Sequence, residues 1–261
     1  MNRLLVKEKE MFDKRIHEID FFRGILIILV IFDHLLWFIN FYIFHRTSGF
    51  LNWYWSSELC AVVRQIVLMA FLFTCGISCY FSRNNKKRGT LLLLLCIGVT
   101  VVTHLANLLP IFASRGSVAI DFNILGVIAL SILTFCVFES RSDKDLWIVT
   151  AILMLIYFFI IVSLRVSQNT EYNPFRSILY LEFNPVRNGY VSDYLPLFPY
   201  IVFLFLGILF ARKFYNNKTS LIKNKKNWER PICFLGRHTL IIYIAHEVIF
   251  TGLFMLIALA I

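Results

Sequence analysis

Six ionisable side chains stand inside long apolar runs of this chain: Asp33, His34, Arg64, His104, His246 and Glu247. In hydrocarbon such groups are costly, so they face a bundle interior, pair with one another and mark sites that bind or react. Histidine changes charge near neutral pH and is the residue type suited to moving protons. His34 and His45 lie on one stretch, RIHEIDFFRGILIILVIFDHLLWFINFYIFHR. About three helical turns, or ~16 Å, separate them, so they share nearly one face. Asp20 precedes His34 by ~21 Å of helix, which spreads ionisable groups from one end of the segment to the other. By the same rise, His34 and His104 fall in the outer halves of their helices, and Arg64 joins them at that level. His246, ~10 Å past Thr239, falls in the inner half. The spacing predicts that His34, Arg64 and His104 converge from different helices on one pocket, and that Asp33 pairs with Arg64.

Other chemistries have no sequence support. There is no G-x-x-x-x-G-K-[ST], no G-x-G-x-x-G and no H-E-x-x-H, so no P-loop, dinucleotide fingerprint or zincin site is expected. Six cysteines lie in or beside apolar segments without metal-ligand spacing and are read as small buried hydrophobes; no metal is expected. Gly76, Ser78, Gly98, Thr100 and Thr103 are read as small residues that let helices approach closely.

The elements that must position these groups are membrane helices. The chain is 59% hydrophobic over 261 residues, with a mean hydropathy of +0.71, well above a soluble domain. Seven apolar spans are expected, over about 19–43, 60–82, 90–112, 122–138, 146–165, 194–215 and 239–261. Residues 1–18 form a basic cytoplasmic arm, and 19–261 a single transmembrane domain. No small-residue cleavage site follows the charged N-terminus, which reads as a retained helix and not a signal peptide. The net charge of +10 reflects basic clusters beside apolar runs, a topology signal and not a nucleic-acid surface. Nineteen of the 26 Lys and Arg residues fall on one side of this seven-span arrangement and five on the other. The expected fold is therefore an all-α polytopic bundle with a cytoplasmic N-terminus and an external C-terminus. Trp37, Trp53 and Trp55 mark the outer boundary, Trp147 and Trp228 the inner one. The polar segment 166–193 reads as a solvated external loop, with a substrate-facing lid as the alternative.

Four segments, in order, resemble a known family. RIHEIDFFRGILIILVIFDH resembles the opening of the heparan-alpha-glucosaminide N-acetyltransferase catalytic-domain family, with its Arg, acidic residue and Arg-Gly before an apolar helix. RQIVLMAFLFTCGISCYFSR resembles its second helix, DYLPLFPYIVFLFLGILFAR its Asp-Tyr-x-Pro-Leu-x-Pro helix, and LGRHTLIIYIAHEVI its Gly-Arg-His close. DFNILGVIALSIL is a weaker match to the fourth helix.

The resemblance implies a membrane acyltransferase that takes acetyl from cytosolic acetyl-CoA and passes it to a sugar or glycan hydroxyl or amine on the far side. His45 best matches the family's catalytic histidine and is expected to be the general base. The chain departs from the family at His34, where an asparagine is usual. His34 is expected to orient the thioester carbonyl or to relay a proton with Asp33, and Arg64 or His34 to supply donors for the oxyanion. The cofactor set is Asp20, Arg23, Arg64, His104, Arg237 and His246, with the CoA phosphates at the basic inner face beside Arg23, Arg88 or Arg237. Expected partners are acyl-CoA, a glycan acceptor and the lipid bilayer; the acceptor vestibule is either reduced in this short chain or completed by a second copy of it. The expected location is a bacterial cytoplasmic membrane. The same polar groups also suit a transporter or channel for a small anion or lipid, or a non-catalytic membrane scaffold. Against the transporter, no broken-helix pair recurs in two matching halves.

Overall fold

The computed structural model describes residues 16–44, 49–108, 119–166, 193–216, 219–222 and 226–260. The basic arm up to residue 15, His45 and Arg46, and 167–192 of the external loop lie outside the described residues.

The elements are helical: α1 (His17–Phe38), α2 (Gly49–Ser56), α3 (Glu58–Phe81), α4 (Asn85–Asn107), α5 (Ile124–Phe138), α6 (Asp143–Val166), α7 (Tyr200–Phe214), α8 (Arg230–Arg237) and α9 (Thr239–Ala260). No strand forms among the described residues; Ile120 and Asp193 make an isolated parallel bridge. The all-α class expected from composition is the class observed.

By length and composition α1, α3 and α4 can cross a membrane, and α8 with α9 make a fourth candidate span bent by 73°. That is three or four among the described residues, against the seven expected. Two of the expected spans are short: α5 and α7 have 15 residues each, about 22 Å at helical rise, less than the ~30 Å hydrocarbon layer. The expected sixth span began at 194, but its helix starts at Tyr200. Pro196 and Pro199 precede it, and proline disrupts a helix interior.

Contacts divide the chain into two compact units, Met1–Thr74 with Tyr215–Ile261, and Cys75–Phe214. In the first, α1 is the central element. Its N-terminal half packs against α8 so closely that a Cβ on Gly24 would lie 2.0 Å from the Ile232 carbonyl oxygen, and one on Gly236 1.8 Å from that of Asp20. Only glycine permits this backbone-to-backbone approach. The C-terminal half of α1 runs beside α9: His34 meets His246, and Phe38 meets Phe250 edge-on at 5.7 Å. Both pairs advance together along the chain, so α1 and α9 are parallel. After Phe38 the helix widens into a π-helical turn, Ile39–Ile43, and ends in a bend at Phe44.

A polar clasp holds the N-terminal end of α1. Buried Glu18 accepts hydrogen bonds from Tyr215 Oη at 3.1 Å, the Leu221 N–H at 2.7 Å and the Ser220 hydroxyl. Buried His17 pairs through Nε2 with Glu229 at 2.6 Å.

In the second unit Asn84 caps α4 by accepting from the Lys87 N–H, and Asn123 caps α5 by accepting from the Leu125 N–H. Facing residues of α5 and α7 fill the core, with Phe135 and Phe205 edge to face at 6.1 Å. Gly76 lets α3 approach α7: a Cβ there would sit 2.0 Å from the Leu204 carbonyl oxygen. At Gly98 nothing lies within 4 Å, so that glycine is not the close-approach point expected for it. The Thr100 hydroxyl donates to the Asp121 carbonyl, and the Thr103 hydroxyl accepts from the Ile120 N–H. Both hydroxyls tie α4 to the 120–121 segment by hydrogen bonds, a different role from the close helix approach expected of them.

Candidate functional site

Three side chains of the first unit converge. His34 comes from the C-terminal half of α1, and His246 and Glu247 are the eighth and ninth residues of α9. His34 Nδ1 lies 2.8 Å from His246 Nε2 and also contacts Glu247 Oε1, which is itself 3.2 Å from His246 Nε2. The imidazole centroids are 5.0 Å apart and nearly stacked. His246 is buried, whereas His34 and Glu247 keep 27% and 24% of their side chains accessible.

The hydrogen bonds decide the tautomers. His246 Nδ1–H donates to the Ile242 carbonyl at 3.2 Å, so in the neutral ring Nε2 carries a lone pair. His34 Nδ1 faces that lone pair and a carboxylate oxygen, both acceptors, so Nδ1 carries the proton. The second nitrogen of neutral His34, Nε2, is then the basic one. A carboxylate that fixes an imidazole by its Nδ1–H and leaves Nε2 to take a proton is the arrangement that primes histidine as a base.

Asp33 serves a second cluster. Successive helical residues diverge by about 100°, and Asp33 turns to α2 and α3. It accepts from the Tyr54 hydroxyl at 2.6 Å and faces Arg64 Nη1 at 3.8 Å. The Arg64 guanidinium lies over the Trp55 ring at 4.6 Å and the Tyr54 ring at 5.3 Å. The expected Asp33–Arg64 pair thus forms, while the carboxylate that meets His34 is Glu247. Burial, then the neighbouring Asp33 carboxylate, pushes the Tyr54 phenol up to about 12.

Near the N-terminal end of α1, Asp20 and Arg237 come together, Nε to Oδ2 at 3.4 Å. Arg23 is one turn away on α1, with its buried Nε atom lacking a hydrogen-bond partner in the described structure. His104 belongs to the second unit, where its Nε2 lies 2.7 Å from an Asp121 carboxylate oxygen. His246 was expected in the inner half, yet it meets His34. The reason is the bend between α8 and α9: the bent pair starts before Thr239, and counting depth from Thr239 sets His246 too far in. Residues 45–48, with His45, lie outside the described residues. Sequence reasoning noted Glu247 as an intramembrane acid but gave it no role, and passed over Tyr54. The available signal was the mirrored order of two dipeptides, Asp33-His34 and His246-Glu247.

With this geometry in view, comparison with known families is decisive. The model of the heparan-alpha-glucosaminide N-acetyltransferase catalytic domain matches residues 15–248. The chain belongs to this family. The match begins just before α1 and ends within α9, so it takes in the His34–His246–Glu247 cluster, the Asp33–Arg64 cluster and the Asp20–Arg237 pair. Searches of curated proteins and of solved structures find no match. Family membership and the long apolar helices together make this an integral membrane protein of transferase type.

Proposed function

We propose that this member of the heparan-alpha-glucosaminide N-acetyltransferase catalytic family transfers acetyl from cytosolic acetyl-CoA to a hydroxyl or amine of a sugar or glycan on the external face of a bacterial cytoplasmic membrane. The supporting observation is His34 held through Nδ1 by Glu247, inside a chain of this family. His34 Nε2 takes the acceptor proton as the acceptor oxygen or nitrogen attacks the thioester carbonyl. The proton then passes to the departing CoA sulfur, giving free CoA and the acetylated acceptor. This gives His34 the base role that the family resemblance alone gives His45.

Arg64 is the cation nearest Asp33 in this region and is assigned to the developing oxyanion. Arg23 and Arg237, steadied by Asp20, are assigned to the CoA phosphates, for which guanidinium forks are suited. His104 is left out of this mechanism because its observed partner is Asp121.

Acetyl transfer by purified His34→Ala and His45→Ala proteins, shown to be folded in detergent, tests the reading. His34→Ala should lose roughly 10²–10⁴ in rate, the usual contribution of a general base. Loss in His45→Ala alone assigns the base to His45. Near wild-type turnover in both removes acetyl transfer through either histidine and favours a transporter or scaffold.

A further inference from the structure

We propose that His34, His246 and Glu247 form a binding site for a divalent first-row transition-metal ion, with zinc as the reference ion. The inference goes beyond acetyl transfer and stands on the geometry of the cluster.

Two imidazoles and one carboxylate are a ligand set suited to zinc. Their ligand atoms all lie within 4.8 Å of one another. At metal–ligand distances of about 2.0–2.2 Å, tetrahedral ligand atoms stand roughly 3.3–3.5 Å apart. His246 Nε2 and Glu247 Oε1 are already 3.2 Å apart. The 2.8 Å between His34 Nδ1 and His246 Nε2 has to open by about half an ångström to reach that spacing, and the closer His34 Nδ1–Glu247 Oε1 contact by more, a rearrangement that rotation of the His34 side chain supplies.

The outer contacts support the same reading. Ligating histidines commonly donate their other ring N–H to a carbonyl or carboxylate, which fixes the ring and its tautomer. His246 does this through Nδ1–H to the Ile242 carbonyl, so its Nε2 lone pair points at the centre of the cluster. The ion replaces the proton now shared between His34 Nδ1 and its two acceptors. It also balances Glu247 at a position where an uncompensated acid is costly. Three protein ligands leave a fourth position for an oxygen donor, on the side where His34 and Glu247 are accessible.

One consequence links the site to the proposed chemistry. Neutral His34 bound to metal through Nδ1 carries its proton on Nε2, so the metal-loaded form lacks the base. Metal and acetyl transfer therefore compete for one imidazole.

The test is binding, read without any activity. The full chain, stripped with chelator in detergent, is titrated with Co²⁺. One ion per chain is expected, with the visible bands of a nitrogen–oxygen site, displaced by Zn²⁺. His246→Ala and Glu247→Ala should weaken binding by at least the roughly 10–100-fold that loss of an outer-shell partner costs. The six cysteines supply a competing adventitious signal, an intense near-ultraviolet thiolate band. A spectrum dominated by that band overturns the proposal, as does affinity unchanged in both variants. Failure of the wild-type chain to retain either ion on dialysis overturns it without recourse to variants.

Discussion

A carboxylate beside an imidazole matters because it selects which nitrogen holds the proton. Glu247→Gln keeps the shape at His34 and removes the charge. Turnover should fall by about 10²-fold, the low end of general-base loss. The KM for acetyl-CoA should stay unchanged, because the inner-end arginines are untouched. Steady-state acetyl transfer by the folded variant checks both. Tyr54 carries a second residue-scale prediction. Its folded pKa of about 12 lies above the ordinary 10.0, so folding favours the protonated phenol. The stability it contributes is complete below pH 10 and is lost as pH rises towards 12. Tyr54→Phe should abolish that alkaline loss, seen as a flatter dependence of unfolding midpoint on pH over this window. At this scale the Asp33–Arg64 pair was legible, since opposite charges in apolar helices seek each other. The Glu247–His34 pair was not, because 213 positions separate them and only the parallel packing of α1 and α9 makes them neighbours.

Between elements, the two glycines at the α1–α8 contact fix how near the inner pair Asp20–Arg237 sits to Arg23. Gly236→Ala places a Cβ 1.8 Å from the Asp20 carbonyl oxygen. Backbone, unlike a flexible side-chain tip, cannot swing aside, so the helices must separate. A loss of about 1–3 kcal/mol is expected, as for other overpacked sites. Gly98→Ala meets nothing within 4 Å and should be neutral or gain up to ~1 kcal/mol from helix propensity. Thermal unfolding of the two variants in one detergent makes the comparison, and equal midpoints would contradict the close packing. Helix existence was readable from apolar run length, but helix ends were not. Hydropathy runs straight through Pro196 and Pro199, whereas the backbone cannot. Nor does an apolar count reveal the 73° bend that sets His246 level with His34.

Across the whole molecule, direction in the membrane is the property on which donor and acceptor access depend. The parallel course of α1 and α9 is what an odd number of crossings between them requires, though it leaves the side open. We propose the side from the basic residues: on the seven-span reading nineteen Lys and Arg fall on one side and five on the other, and the excess marks a cytoplasmic face. On that assignment the Asp20–Arg237 pair and Arg23 face cytosolic CoA, while His34 lies ~21 Å further along α1, towards the acceptor. A donor with a long pantetheine arm suits that separation. The prediction is specific to two positions, Asn217 on the cytoplasmic side and Tyr180 on the external side. In a background without the native cysteines, Tyr180→Cys should react in intact cells with a thiol reagent that cannot cross the membrane. Asn217→Cys should react only after the cells are opened. Labelling of Asn217→Cys from outside would invert the topology. It would also place the basic inner cluster on the wrong side for a cytosolic donor, and the proposed direction of acetyl transfer would fall with it.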